Sequence, residues 1–109
     1  MQKEGMELLQ SMVQKDLGLE NDLVFHGAVP PDMAWFRQQL RDVVAYLIEH
    51  DFHRLLNAMY RLDIGETRFH EAMQAPDREL AASMIADLIL EREMQKVQTR
   101  LHYKKYRKF

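Results

Sequence analysis

A chain of 109 residues has the length of one domain and can bury a modest core. Hydrophobic residues make up 47% and charged residues 29%, the balance of a globular chain rather than a disordered one. Cysteine is absent, which excludes disulfides, cysteine-based zinc sites and thiol chemistry.

The formal charge of −2 conceals a division. From Arg92 to Phe109 seven bases stand against Glu93 alone, a segment of +6, while the rest of the chain holds eight bases and sixteen acids, −8. Such asymmetry points to a tail that meets something negative, either a nucleic acid or the acidic body of another copy. No apolar run is long enough to cross a bilayer, and the opening MQKEGMELLQ lacks the uninterrupted apolar region of a signal peptide. A cytoplasmic location with no membrane partner is the expectation.

Residues 1–31 read as a helix and a connection. The helix runs roughly from Glu4 to Leu17, with Leu8, Leu9, Met12 and Val13 on its apolar side and Gly18 placed to end it. The turn-type residues Asn21, Asp22, Gly27, Pro30 and Pro31 mark the connection. Leu23, Val24 and Phe25 inside it are expected to tuck against the bundle, and a strand over Leu23–His26 would have no evident partner.

Residues 32–75 read as short helices. One opens near Pro31 or Asp32 and runs to about Glu49, with Met33, Phe36, Leu40, Val43, Val44 and Leu47 on one face. Trp35 and Tyr46 lie away from that face and read as bundle edges, with anchors for a partner as the alternative. Beyond His50 the apolar positions shift by about 100°, which predicts a break, and Asp51 is a natural N-cap for the next helix. That helix, Phe52 to Leu62, is expected to bury Phe52, Leu55, Leu56, Met59 and Leu62. Asp63 and Glu66 resemble a capping box opening a fourth helix, which runs to about Gln74 with Phe69 and Met73 inward.

Residues 76–109 read as one long helix with a basic end. Pro76 suits the first helical position, and Asp77 and Glu79 suit the positive end of the helix dipole. Leu80, Ala81, Met84, Ile85 and Leu88 form one broad face; Leu90, Met94, Val97 and Leu101 then form a narrower stripe at heptad spacing, well over about 100° away. One flat partner surface cannot cover both, so each half of the helix should meet different neighbours. The stripe has two candidate covers, the N-terminal helix of the same chain or a second copy. The second copy is the expectation, giving an antiparallel homodimer. The fold class that follows is all-α, a compact bundle of four to five helices with a long C-terminal helix.

Few residues converge on chemistry. Glu49, His50, Asp51 and His53 are the best metal or acid–base candidates, since His50 and His53 would share a side of a continuous helix, but a break falls there. The chain holds no Glu-x-x-His, the pattern of dinuclear carboxylate bundles. Ser11 and Ser83 lack a nucleophile-elbow pattern, and the four glycines are too scattered to cradle phosphate. The helix–Gly–helix section Leu55 to Met73 would give a helix-turn-helix an acidic recognition helix, poorly suited to phosphate contacts. The tail, with Arg100, Lys104, Lys105, Arg107 and Lys108 interleaved with Tyr103, Tyr106 and Phe109, has the composition of a single-strand nucleic-acid binder and equally of a solvated helix end.

The segment FHRLLNAMYRLDIGETRFHEAM followed by IADLILEREMQKVQTR resembles small all-helical bacterial proteins of unknown function. The resemblance covers about the last sixty residues. It implies a helical, bacterial, cytoplasmic protein and brings no activity or site residues with it. The expected function is a non-catalytic homo-oligomeric protein-interaction module, without cofactor. Its alternatives are a nucleic-acid-binding protein using the tail, and a metal-binding protein or enzyme using His50 and His53.

Overall fold

The computed structural model describes residues 3–19 and 32–106, with side chains over 4–19 and 32–103. Five helices follow in order: α1 (Lys3–Asp16), α2 (Met33–His50), α3 (Phe52–Leu62), α4 (Glu66–Met73) and α5 (Arg78–Tyr106). The all-α class and the long C-terminal helix are as expected, and no strand occurs among the described residues. The strand considered over Leu23–His26 lies outside the described residues. None of the described helices is long and apolar enough to cross a membrane.

Local chemistry sets the joints. Gly18 ends α1 at φ 66°, with Leu19 N–H donating to Gln14 O (2.8 Å) and Gly18 N–H to Lys15 O (3.1 Å), the paired bonds of a Schellman motif. The Asp32 side chain accepts from Trp35 N–H at 2.8 Å and opens α2. Asp51 serves two helices: its N–H donates to Leu47 O and closes α2, while its carboxylate accepts from Arg54 N–H and opens α3. The sharing leaves no slack between the two helices.

Two caps differ from expectation. Asp63 does not open α4; it closes α3 in the left-handed conformation at φ 56°, with Ile64 N–H bonded to Met59 O at 3.0 Å. Gly65 takes the N-cap of α4 without a side-chain bond. At the start of α5 the capping residue is Asp77, whose carboxylate accepts from Leu80 N–H at 2.7 Å, so the helix begins at Arg78 and Pro76 precedes it. In both places the boundary falls about two residues from the position that the pattern suggested: Asp77 caps α5 through its side chain, while a glycine with no side-chain bond stands at the N-cap of α4.

Helix α5 is the spine. Its 29 residues span about 43 Å at the standard rise, close to the 49 Å long axis of a molecule measuring 49 × 29 × 24 Å. Helix α2 runs antiparallel along the first half, as the pairs Arg37–Asp87 and Glu49–Arg78 show. Helix α4 lies beside the same half through Arg68–Glu91 (3.1 Å), and α1 runs antiparallel along the second half, with Asp16 paired to Lys96 (3.4 Å). The expected division of neighbours between the halves is therefore present. The Arg37–Asp87 and Glu49–Arg78 pairs are about half exposed and fix register more than they add stability.

The buried face of α5 keeps Ala81 and Ile85 of the expected one, with Leu88 half-buried against it, and is turned away from the rest. Ala81, Ala82, Ile85, Ala86, Ile89, Leu90, Glu93 and Val97 are buried, whereas Leu80 and Met84 are exposed. Ala81, Ala82 and Ala86 are small residues on this face, and Ala86 lines the seam with Ala34, Gln38 and Arg41 of α2. The face drifts slowly around the axis and passes without a gap from the α2 side to the α1 side. In α3 the buried residues are Leu55, Ala58, Met59 and Leu62; Phe52 and Leu56, expected inside, are each 37% exposed.

Candidate functional site

The expected interface stripe lies within the fold. Leu90 and Val97 are buried in the main core, Met94 and Leu101 are half-buried against it, and Leu9, Met12 and Val13 of α1 belong to the same core. The stripe therefore has its cover inside the chain, which corrects the expectation that a second copy is needed there. The physical reason is the antiparallel seat of α1, which brings its own apolar face to the second half of α5.

The basic tail is described in part. Arg100 is exposed, and with Arg92, Lys96, Thr99, Tyr103 and Met12 it lines an open cleft of about 540 Å³ between α1 and α5. Lys104 and Lys105 continue the backbone of α5; Arg107 and Lys108 lie outside the described residues. His50 and His53 fall on different helices, separated by the double cap at Asp51. His50 stacks on Tyr46 with ring centroids 4.6 Å apart, Glu49 is taken by Arg78, and Asp51 pairs with Arg54 at 3.1 Å. Among the described residues no group of three or more acids and histidines could hold a metal ion.

One titratable group went unread in the sequence. Glu93 is completely buried on α5, and neither of its carboxyl oxygens has a hydrogen-bond partner among the described residues. Burial is the main cause that pushes its pKa up to about 8, and the neighbouring Asp16 carboxylate pushes the same way against Lys96 and Arg92. Around it sits a polar joint where α1, α3 and α5 meet. Arg61 donates to Asp16 O (3.2 Å), Arg54 to Gly18 O (3.4 Å) and Arg92 to Leu62 O (2.8 Å). Cations from other elements thus satisfy carbonyls at two helix C-termini, where the backbone lacks partners and the dipole is negative. The joint holds α1 onto the spine, and nothing in its geometry aligns a nucleophile with a base.

The second unread feature is an apolar edge on α3 and α4. Phe52, Leu56 and Tyr60 recur every four residues along α3, so they form a row on one side of the helix. Phe52 and Leu56 are partly exposed and Tyr60 is 81% exposed. Phe69 of α4 faces Phe52 with ring centroids 6.0 Å apart. Between the helices lies a groove of about 250 Å³, with Leu56, Met59, Ile64 and Phe69 as its apolar lining and Asp63 and Glu66 at its α3–α4 turn. Its size is below the usual range of small-molecule sites and suits side-chain anchors. The signal is legible as the spacing Phe52, Leu56, Tyr60, but the amphipathic pattern of α3 places the first two in the core.

In comparisons with known proteins, no family model, no curated protein and no solved structure matches this chain.

Proposed function

We propose that this chain is a non-catalytic, self-associating interaction module whose contact surface is the α3–α4 edge. The observation that carries the reading is the contiguous row Phe52, Leu56 and Tyr60 beside the groove to Phe69. Single exposed apolar residues are ordinary on a protein surface, whereas a row of large ones beside an apolar groove is the anatomy of an interaction surface. Aromatic anchors of this kind carry most of the energy of typical interfaces. A second copy is the favoured partner because the chain supplies both an acidic body and a strongly basic end.

Light scattering on the full chain at micromolar concentration tests the reading. The expected mass is that of a dimer, reduced to a monomer by Leu56→Glu with Tyr60→Glu while helical circular dichroism is unchanged. A wild-type mass of one chain at every concentration rejects it.

A second reading has its own observation, the alignment of Arg92, Lys96, Arg100 and Tyr103 along one open cleft. Cations beside an exposed ring suit single-stranded nucleic acid, through phosphate contacts and base stacking. Salt-sensitive binding of single-stranded RNA that Arg100→Glu abolishes supports this reading; no binding at low salt rejects it.

A further inference from the structure

We infer that the α3–α4 groove receives the basic, aromatic C-terminal segment, Tyr103 to Phe109, of a second copy of this chain. The inference rests on the self-association reading and names the parts that meet. The two surfaces have complementary chemistry. The segment carries Tyr103, Tyr106 and Phe109 with Lys104, Lys105, Arg107 and Lys108 between them. The groove offers an apolar floor for rings, and Asp63 and Glu66 beside it offer carboxylates for the bases. Rings buried in the groove supply affinity, and the charge match supplies orientation and steering.

The spine explains why the partner is another molecule. The α3–α4 turn lies against α5 at Leu88, Glu91, Arg92 and Gln95. From Gln95 the helix continues to Tyr106, about 16 Å farther along its axis at the standard rise. Phe69 lies toward the opposite end of α5, since α4 runs antiparallel to the spine and Arg68 already pairs with Glu91. A straight helix therefore carries its own basic end away from its own groove. Tyr103, the last ring with a described side chain, is 66% exposed. Two such contacts related by a two-fold axis close a dimer, each copy lending its tail to the other's groove.

A charge swap in the full-length protein tests the exchange. One variant carries Asp63→Asn and Glu66→Lys in the groove; the other carries Lys104→Glu, Lys105→Glu, Arg107→Glu and Lys108→Glu in the tail. Sedimentation equilibrium reads the association of each alone and of the two mixed. Each variant alone should associate about tenfold or more weakly than the wild type, the range of strong interfacial charge effects. The mixture should recover association, because every tail then finds a groove of opposite sign, and high salt should weaken the wild type. A wild type that dimerises while both variants dimerise equally well overturns this inference and leaves the self-association reading standing. A wild type that never associates removes both. A tail variant that keeps its dimer and loses only RNA binding also overturns the inference, by assigning the tail to nucleic acid.

Discussion

At the scale of the residue, Glu93 has the largest predicted effect. Its folded pKa of about 8 lies above the ordinary 4.5 of a glutamate, so the native chain holds a proton that the unfolded chain releases. The stability tied to that proton is fully present below pH 4.5 and is lost as pH rises through about 8. Each pKa unit is worth about 1.4 kcal/mol, so the loss is of the order of a few kcal/mol. Glu93→Gln keeps the shape and removes the titration. Urea unfolding from about pH 5 to pH 9 should show wild-type stability falling while the variant stays level, and the variant should be the more stable at the alkaline end. Equal slopes for the two proteins would show that Glu93 does not titrate in this range. Gly18 makes a smaller prediction. A methyl group there would meet no atom within 4 Å, so Gly18→Ala should cost only the backbone term of a left-handed residue, about 1–2 kcal/mol in chemical denaturation. Gly18 and Asp51 were legible in the sequence because capping is a local matter. Glu93 was not, because a charge between Arg92 and Lys96 reads as solvent-facing, and only the seat of α1 reveals otherwise.

At the scale of the element, α5 is one helix with one continuous buried face. The sequence suggested two faces because the centre of the real one is occupied by alanines and by Glu93. An amphipathic pattern weighs bulk, so Leu80 and Met84 drew the predicted face away from Ala82 and Ala86. The same bias placed Phe52 and Leu56 inside α3. The break between α2 and α3 at Asp51 was readable, because the apolar phase shifts there and an aspartate stands ready to cap, whereas the caps of α4 and α5 fall about two residues from the expected positions. Which helix covers the second half of α5 was not readable, because α1 reaches it across the long connection. Leu9 and Val97 show what this packing predicts. Both are completely buried where α1 meets α5. Leu9→Ala should destabilise the fold by about 2–5 kcal/mol in urea. Val97→Glu, which forces a charge into the same core, should lower stability or prevent folding rather than yield a folded monomer. A stable, fully helical Val97→Glu chain would mean that the α1–α5 contact is not the one described.

At the scale of the whole molecule, charge divides along the chain: the segment from Arg92 onward is +6 and the rest is −8. A polar joint of Arg54, Arg61, Arg92, Lys96 and Asp16 fastens α1 and α3 to the spine. With the stripe Leu90, Met94, Val97 and Leu101 covered from within, the α3–α4 edge is the surface on which self-association would depend. The most direct test of that placement is amide chemical shift as a function of protein concentration, read residue by residue across the full chain. The account predicts shifts that grow with concentration along Phe52–Phe69 and along the basic end, with the Leu90–Val97 face of α5 unmoved. Shifts centred on Leu90, Met94 and Val97, or none anywhere as concentration rises, would contradict it.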